Sequence, residues 1–355
     1  LVAMLPDAGI TLSAETPNRL QVVMDSRTFS PKSMSAAGYP ELLSLVGRGD
    51  APNGNDETDG FTRYKVATEP FRRALEFVCP GASDAETSIF NSIRLDLWHG
   101  KKGDVFAVAA SDESCLMVDE STVDDATLDL KAPSLTVCVP VKSFQILIRL
   151  LEEVEEEALN ICFQAASGGT HVTLCLFQCG SKQLLTHLVT SEWANYRQHV
   201  PTQGIFTAQV VADRELLLSL VNCNLVFAIA KTFRTMLLDV STQAGVLSTW
   251  VKTQTKGESV QQMVASISAL NGGDLSVLKT LGLNAAKVKL ALDLFSDTEI
   301  RWQFIQAQAP TLMSGGTKGR WIVLMPISVN DDSETDELPE TVEPTTKKSG
   351  KKPQA

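Results

Sequence analysis

Apolar residues recur along this chain in two rhythms, the roughly 3.6-residue period of a helix and the two-residue period of a strand. Phe71, Ala74, Leu75 and Val78 stand at i, i+3, i+4 and i+7, which predicts a helix with one buried face and with Arg72, Arg73 and Glu76 outside it. Alternation predicts strands at 92–97 and 104–108, and a second helix runs over 141–153 behind Pro140, a residue tolerated in a first helical turn. Strands at 159–164, 171–178 and 182–189 follow. The same sequence of elements then returns: a strand at 207–211, a helix from 214 to about 230, strands at 235–240 and 247–253, a helix over 287–295, and strands at 300–304 and 321–327.

The return is visible residue by residue. Pro140-Val-Lys-Ser-Phe-Gln-Ile-Leu-Ile-Arg-Leu-Leu151, an acidic turn and Leu159-Asn-Ile-Cys-Phe163 are matched about 144 residues later by Asn284-Ala-Ala-Lys-Val-Lys-Leu-Ala-Leu-Asp-Leu-Phe295, Ser-Asp-Thr-Glu and Ile300-Arg-Trp-Gln-Phe304. Phe144 aligns with Val288, Ile148 with Leu292 and Leu151 with Phe295. Solenoid repeats run roughly 20 to 50 residues, so a period this long indicates duplicated domains. The opening Leu1-Val-Ala-Met-Leu5, Pro6-Asp-Ala-Gly and Ile10-Thr-Leu-Ser13 reads as the same helix end, turn and strand start, so a third copy is expected to lack about half a domain.

These elements give an α+β class, with two helices and mostly antiparallel strands in each full domain. The expected organisation is a half-domain at 1–46, a Gly, Asn, Asp and Pro-rich linker at 47–63, full domains at 64–203 and 204–329, and a charged tail at 330–355. The tail offers no apolar residues to bury and is expected to be disordered.

Composition narrows the chemistry. With 44% hydrophobic and 21% charged residues the chain is that of an ordinary soluble protein, and no apolar run reaches the roughly 18 residues of a bilayer span. Its net charge of −11 argues against simple nucleic-acid binding unless basic residues are grouped. Seven unpaired-looking cysteines fit a reducing cytoplasm, and most sit in apolar runs as small hydrophobes.

No catalytic constellation is present. His171, Cys175 and Cys179 share a predicted strand face, but four residues of strand span about 13 Å, whereas zinc ligands lie within about 2.3 Å of the ion. No metal and no cofactor are expected. Gly315-Gly-Thr-Lys-Gly319 lacks the spacing of a phosphate loop and reads as a hairpin turn, and Glu152-Glu-Val-Glu-Glu-Glu157 reads as a solvated turn. Arg72, Arg73, Lys142, Arg149, Lys287 and Lys289 fall on or beside the outer faces of equivalent helices. Two readings stand for them: a shared positive lining inside an acidic protein, or ordinary solvated helix faces.

The exit Leu188-Val-Thr-Ser-Glu-Trp-Ala-Asn-Tyr-Arg197 with Pro201, the segment Met34-Ser-Ala-Ala-Gly-Tyr-Pro-Glu-Leu42 and the ending Val323-Leu-Met-Pro-Ile327 resemble the bacterial DNA polymerase III beta subunit, the sliding clamp, in register over residues 1 to 329. The resemblance implies the DNA-clamp fold and, for the full-length protein, a head-to-tail homodimer closed into a ring around double-stranded DNA, without sequence readout, in the cytoplasm. It also implies a non-catalytic processivity factor that tethers the DNA polymerase III catalytic subunit and the clamp loader through an apolar peptide pocket. The basic helix residues would then face DNA.

The family's pocket carries over residue by residue. Its Thr-Asp-Gly-His-Arg-Leu wall is Ser111-Asp-Glu-Ser-Cys-Leu116 here, and its Pro-Asp-Tyr-Arg-Arg-Val stretch is Ala194-Asn-Tyr-Arg-Gln-His199. Its Met-Pro-Met-Arg-Leu ending is Met325-Pro-Ile-Ser-Val329, and the aromatic pair beside the wall is replaced by Ser88 and Ile89. The implied pocket is Phe90, Ser111, Leu116, Ala194, Gln198, Val323, Met325, Pro326 and Ile327, with its apolar floor kept and its polar rim changed. That rim leaves a second reading, a clamp-fold interaction protein that binds clamp partners without encircling DNA.

Overall fold

The computed structural model describes the strand residues 10–16, 19–24 and 27–29, and residues 61–100, 103–120, 134–165, 172–191, 193, 195–198, 200–228, 235–240, 245–253, 257–278 and 280–328. The expected helix end at 1–5, the segment Met34–Leu42, Ala194 and the tail lie outside the described residues, as do residues 47–60 of the linker expected at 47–63, whose last three residues instead belong to a strand that begins at Phe61. The chain divides into two units, Leu1–Phe61 and Thr62–Ala355. In the first, β1 (Ile10–Thr16), β2 (Arg19–Met24) and β3 (Arg27–Phe29) form an antiparallel sheet in that order, with Ile10 paired to Met24 and Val22 to Phe29.

The second unit contains one topology twice. It runs β4 (Phe61–Ala67), α1 (Thr68–Val78), β5 (Ser92–Trp98), β6 (Val105–Ser111), β7 (Cys115–Asp119), β8 (Leu135–Pro140), α2 (Val141–Leu151), β9 (Ala158–Ala165), β10 (Val172–Cys179) and β11 (Lys182–His187). It then runs β12 (Ala208–Asp213), α3 (Arg214–Phe227), β13 (Thr235–Asp239), β14 (Val246–Thr253), β15 (Gly257–Val264), β16 (Ser266–Ala269), β17 (Leu281–Asn284), α4 (Ala285–Leu294), β18 (Glu299–Phe304), β19 (Thr311–Ser314) and β20 (Arg320–Leu324). The orders β11-β10-β9-β4 and β8-β5-β6-β7 of the first module recur as β20-β19-β18-β12 and β17-β13-β14-β15 in the second, with β16 added beside β12.

One pairing fuses the modules. β20 lies antiparallel to β7, from Arg320 opposite Asp119 to Leu324 opposite Cys115, so a single sheet of nine strands runs β16-β12-β18-β19-β20-β7-β6-β5-β8. Side chains alternate across it. Ile93, Leu95, Phe106, Val108, Met117, Ile322, Leu324 and Trp302 join the main core with the helices. Ala109, Val118 and Cys138 form a smaller apolar cluster with Trp193 and Tyr196, on which Phe90, Leu116 and Trp321 pack. By register this cluster occupies the opposite face.

The helices form for local reasons. Glu69 in the first turn of α1 suits the positive end of the helix dipole, Phe71, Ala74, Leu75 and Val78 are buried as their spacing predicts, and Pro80 ends the helix in a 3-10 turn at Cys79–Gly81. Asp213 and Asn284 cap α3 and α4, accepting from Leu216 N–H at 2.9 Å and from Ala286 N–H at 3.0 Å. The acidic turns after α2 and α4 and the hairpin turn at Gly315–Gly319 stand where the sequence put them. Helix α3 stops at Phe227, short of 230. Strands β4, β7, β8, β15, β16, β17 and β19 are additional to those the alternation predicted.

Phe71, Phe106, Phe144 and Phe177 fill the first module's core, with ring centroids 4.9 Å apart for Phe71 and Phe106 and 5.6 Å for Phe144 and Phe177. At the seam Phe77 of α1 meets Phe295 just past α4, centroids 5.6 Å apart. The Arg320 guanidinium lies over the Phe77 ring at 5.4 Å and reaches the buried Asp119 carboxylate at 2.6 Å.

Candidate functional site

The turn between β6 and β7 is the best-defined wall of the pocket that the sequence suggests. Its shape comes from its own side chains. Asp112 Oδ1 accepts from the N–H groups of Ser114 and Cys115 at 3.1 and 2.9 Å and from the Ser114 hydroxyl at 2.8 Å, while the Ser111 hydroxyl donates to the Cys115 carbonyl at 2.8 Å. Glu113 takes a φ of 74°, the left-handed region where a Cβ is crowded. Burial pushes the Cys115 thiol up to about 12 and keeps it neutral.

Leu116 leaves this turn onto the face opposite the main core. Ser111 is its partner on β6 and Val323 its partner on β20, so the three stand in one row across the seam. Phe90 and Leu116 pack half-buried on the smaller apolar cluster, and the Phe90 ring meets that of Trp193 edge-on at 5.5 Å. Past β20, the Met325 N–H donates to the Ser114 carbonyl at 2.9 Å and the Ile327 N–H to the Gly282 carbonyl at 2.8 Å. This strap ties the first module's turn to the second module's β17. Met325 is 43% exposed, an apolar side chain open to solvent beside that strap, and Pro326 and Ile327 are half-buried.

Gln198 ends a 3-10 turn at Tyr196–Gln198 and is exposed. Its neighbours hold the segment to the sheet. Arg197 donates to the buried Asp96 carboxylate at 3.1 Å and pairs with Glu120 at 2.6 Å, and the Tyr196 hydroxyl donates to Glu120 at 2.5 Å. Arg94 and the Thr136 hydroxyl also donate to Asp96, at 3.0 and 2.7 Å. Burial, followed by the Glu120 charge, raises the Tyr196 hydroxyl well above its usual range.

The structure therefore brings Ser111, Leu116 and Val323 into one row, sets Phe90 on the same apolar cluster as Leu116, and anchors Met325 at the turn and Ile327 on β17. Ala194 lies outside the described residues. Trp321, Trp193 and Tyr196, which sequence reasoning did not assign to the site, supply much of the apolar floor. For Trp321 the signal was present: it stands two residues before Val323 on one strand and so shares its face.

The basic residues are largely paired. Arg72 bonds Glu69 and Glu76, Arg73 bonds Glu69 at 2.6 Å, and Lys142 bonds Glu86 at 2.7 Å. Lys289 pairs with Asp293 one turn along α4, and Lys287 pairs with Asp112 across the seam. Arg73 and Lys142 remain 64% and 70% exposed, and Arg149 is exposed in the last turn of α2. The Arg72 and Arg73 hydrogen bonds lower the Glu69 carboxyl below its usual value. His171 lies outside the described residues, Cys175 and Cys179 are buried in the main core, and the described residues hold no group of three or more His, Cys, Asp or Glu suited to a metal.

Neither a family model nor a curated protein matches the sequence. Solved structures do. The DNA polymerase III beta subunit of Thermotoga maritima superposes with a TM-score of 0.68 at 18% identity, over 93% of this chain and 78% of that one. A sliding clamp from Pseudomonas aeruginosa bound to griselimycin gives 0.66 at 18% identity, over 92% and 78%. The C. crescentus beta sliding clamp gives 0.67 at 20% identity, over 92% and 79%. The chain has the fold of these clamps, α+β with repeated antiparallel sheets.

Proposed function

We propose that this protein is a DNA sliding clamp, a non-catalytic processivity factor of the cytoplasm that encloses duplex DNA as a head-to-tail homodimer. The observation that carries this reading is the duplicated module fused through β7 and β20 into one sheet, matched by clamp structures over nine-tenths of the chain. Enclosure explains how a chain of net charge −11 holds DNA, because topology replaces most of the attraction that scattered cations would supply. Of these six cations, Arg73, Lys142 and Arg149 are the most exposed and would touch the backbone, Arg73 and Lys142 by giving up Glu69 and Glu86, whereas Arg72, Lys287 and Lys289 are less exposed and held by carboxylates. The DNA polymerase III catalytic subunit and the clamp loader are the partners, docking a short apolar segment on Phe90, Leu116, Val323, Met325, Pro326 and Ile327, with Ser111, Ala194 and Gln198 along the rim.

The test is retention on plasmid DNA. Enclosure predicts that protein loaded on a nicked circle resists about 0.5 M salt and departs when the circle is cut, since backbone contacts alone weaken steeply with salt. Equal, salt-labile loss from circular and linear DNA sinks the reading. The pairing of helix cations with Glu69, Glu86 and Asp293 favours one alternative, a clamp-fold protein that binds clamp partners without encircling DNA. It predicts peptide binding with no gain in primer-extension length, and a gain excludes it.

A further inference from the structure

Lys287 does not belong with the other helix cations. It is the third residue of α4, inside the turn where the helix dipole disfavours positive charge, so helix stability gives no reason for a lysine there. What it meets is Asp112, on the β6–β7 turn of the other module. The pair is partly buried, with side-chain exposures of 25% and 15%, which shields it from the salt screening that weakens surface pairs. Asp112 divides its work between its two oxygens. Oδ1 holds the turn through Ser114 and Cys115, and Oδ2 receives Lys287.

The pair closes a circuit that includes the β6–β7 turn. From the turn, the Ser114 carbonyl takes the Met325 N–H, and the strap runs on to Ile327, whose N–H bonds Gly282 on β17. Two residues later Asn284 accepts from the N–H of Lys287 at 3.3 Å, and the Lys287 ammonium returns to Asp112. Every link but this ion pair is a hydrogen bond to backbone or the covalent chain itself. We infer that Lys287 is a positioning residue of the partner pocket, acting through Asp112 to fix the wall that carries Ser111 and Leu116, and that it is not a DNA contact. The inference rests on the peptide-docking reading above.

The experiment uses the whole chain and a short, fluorescein-labelled, uncharged peptide of leucine and phenylalanine side chains. Asp112→Asn keeps an oxygen for the turn and removes only the charge. K287M and D112N are each expected to weaken peptide binding about fivefold, the double variant no further than either, and K287R to restore it, as for two residues sharing one interaction. Amide exchange at Ser114 and Cys115 is expected to quicken about as much in K287M, while retention on nicked circular DNA stays unchanged. Unaltered exchange at those amides in K287M overturns the inference, as does multiplicative loss in the double variant or a loss confined to DNA retention. Leu116→Asp separates the two readings. If neither it nor the parent protein binds the peptide, or both bind alike, the docking reading fails, and the exchange measurement alone decides the role of Lys287.

Discussion

Glu113 occupies a backbone conformation that costs an L-residue roughly 1 kcal/mol and costs glycine nothing. Its side chain is exposed, so the strain has no packing compensation of its own, and the turn is held instead by Ser111 and Asp112. Glu113→Gly is expected to raise unfolding free energy by up to about 1 kcal/mol, less the entropy that glycine adds to the unfolded chain, read as a higher urea midpoint at unchanged slope. A lower midpoint refutes the strain argument. This turn also marks what residue types disclose by themselves. Comparing Ser111–Leu116 with the clamp wall exposed the replaced glycine, but not the role of Asp112, because its partner Lys287 arrives from another module. Chain-distant ion pairs leave no local spacing to read. The same holds for Arg197, whose contacts with Asp96 and Glu120 depend on how the exit segment folds back over the sheet.

Helices were legible because each buries one stripe: of the six positions aligned in the repeat, Phe144, Leu151, Val288, Leu292 and Phe295 are buried, and Ile148 is partly buried against the core. Several strands were not. β7 reads Cys-Leu-Met-Val-Asp, apolar on both faces because one meets the main core and the other the smaller cluster, so it shows no alternation. β15 reads Gly-Glu-Ser-Val-Gln-Gln-Met-Val, an edge strand with mostly polar, partly exposed positions. Caps divide the equivalent helices further: Asn284 caps α4 by side-chain bonds, whereas Pro140, at the same place before α2, provides none. Asn284→Ala should cost about 1 kcal/mol by equilibrium urea unfolding. The matching change Pro140→Ala removes no cap bond, and an equal loss there shows that the cap is not the cause.

Across the whole molecule, burial raises the thiols of Cys79, Cys115, Cys138, Cys162 and Cys175 and the hydroxyls of Tyr64 and Tyr196. Each group binds its proton more tightly folded than unfolded. Their contribution is therefore complete below the unfolded thiol pKa of about 8.5 and declines as pH rises above it, by up to about 1.4 kcal/mol per group per pH unit. Urea midpoints are expected to be flat in this contribution from pH 7 to 8 and to fall steeply by pH 10, with the five thiols leading and the tyrosines joining near pH 10. A midpoint that holds steady to pH 10 contradicts the burial of these groups. The pairing of β7 with β20 has a consequence for how the molecule comes apart. The covalent passage between the modules runs through 200–207, but the sheet and the Phe77–Phe295 contact join them independently of it. Two fragments made by a protease cut at Gln203–Ile205 are therefore expected to stay together as one particle, and their separation on gel filtration without denaturant would show that the seam does not hold them.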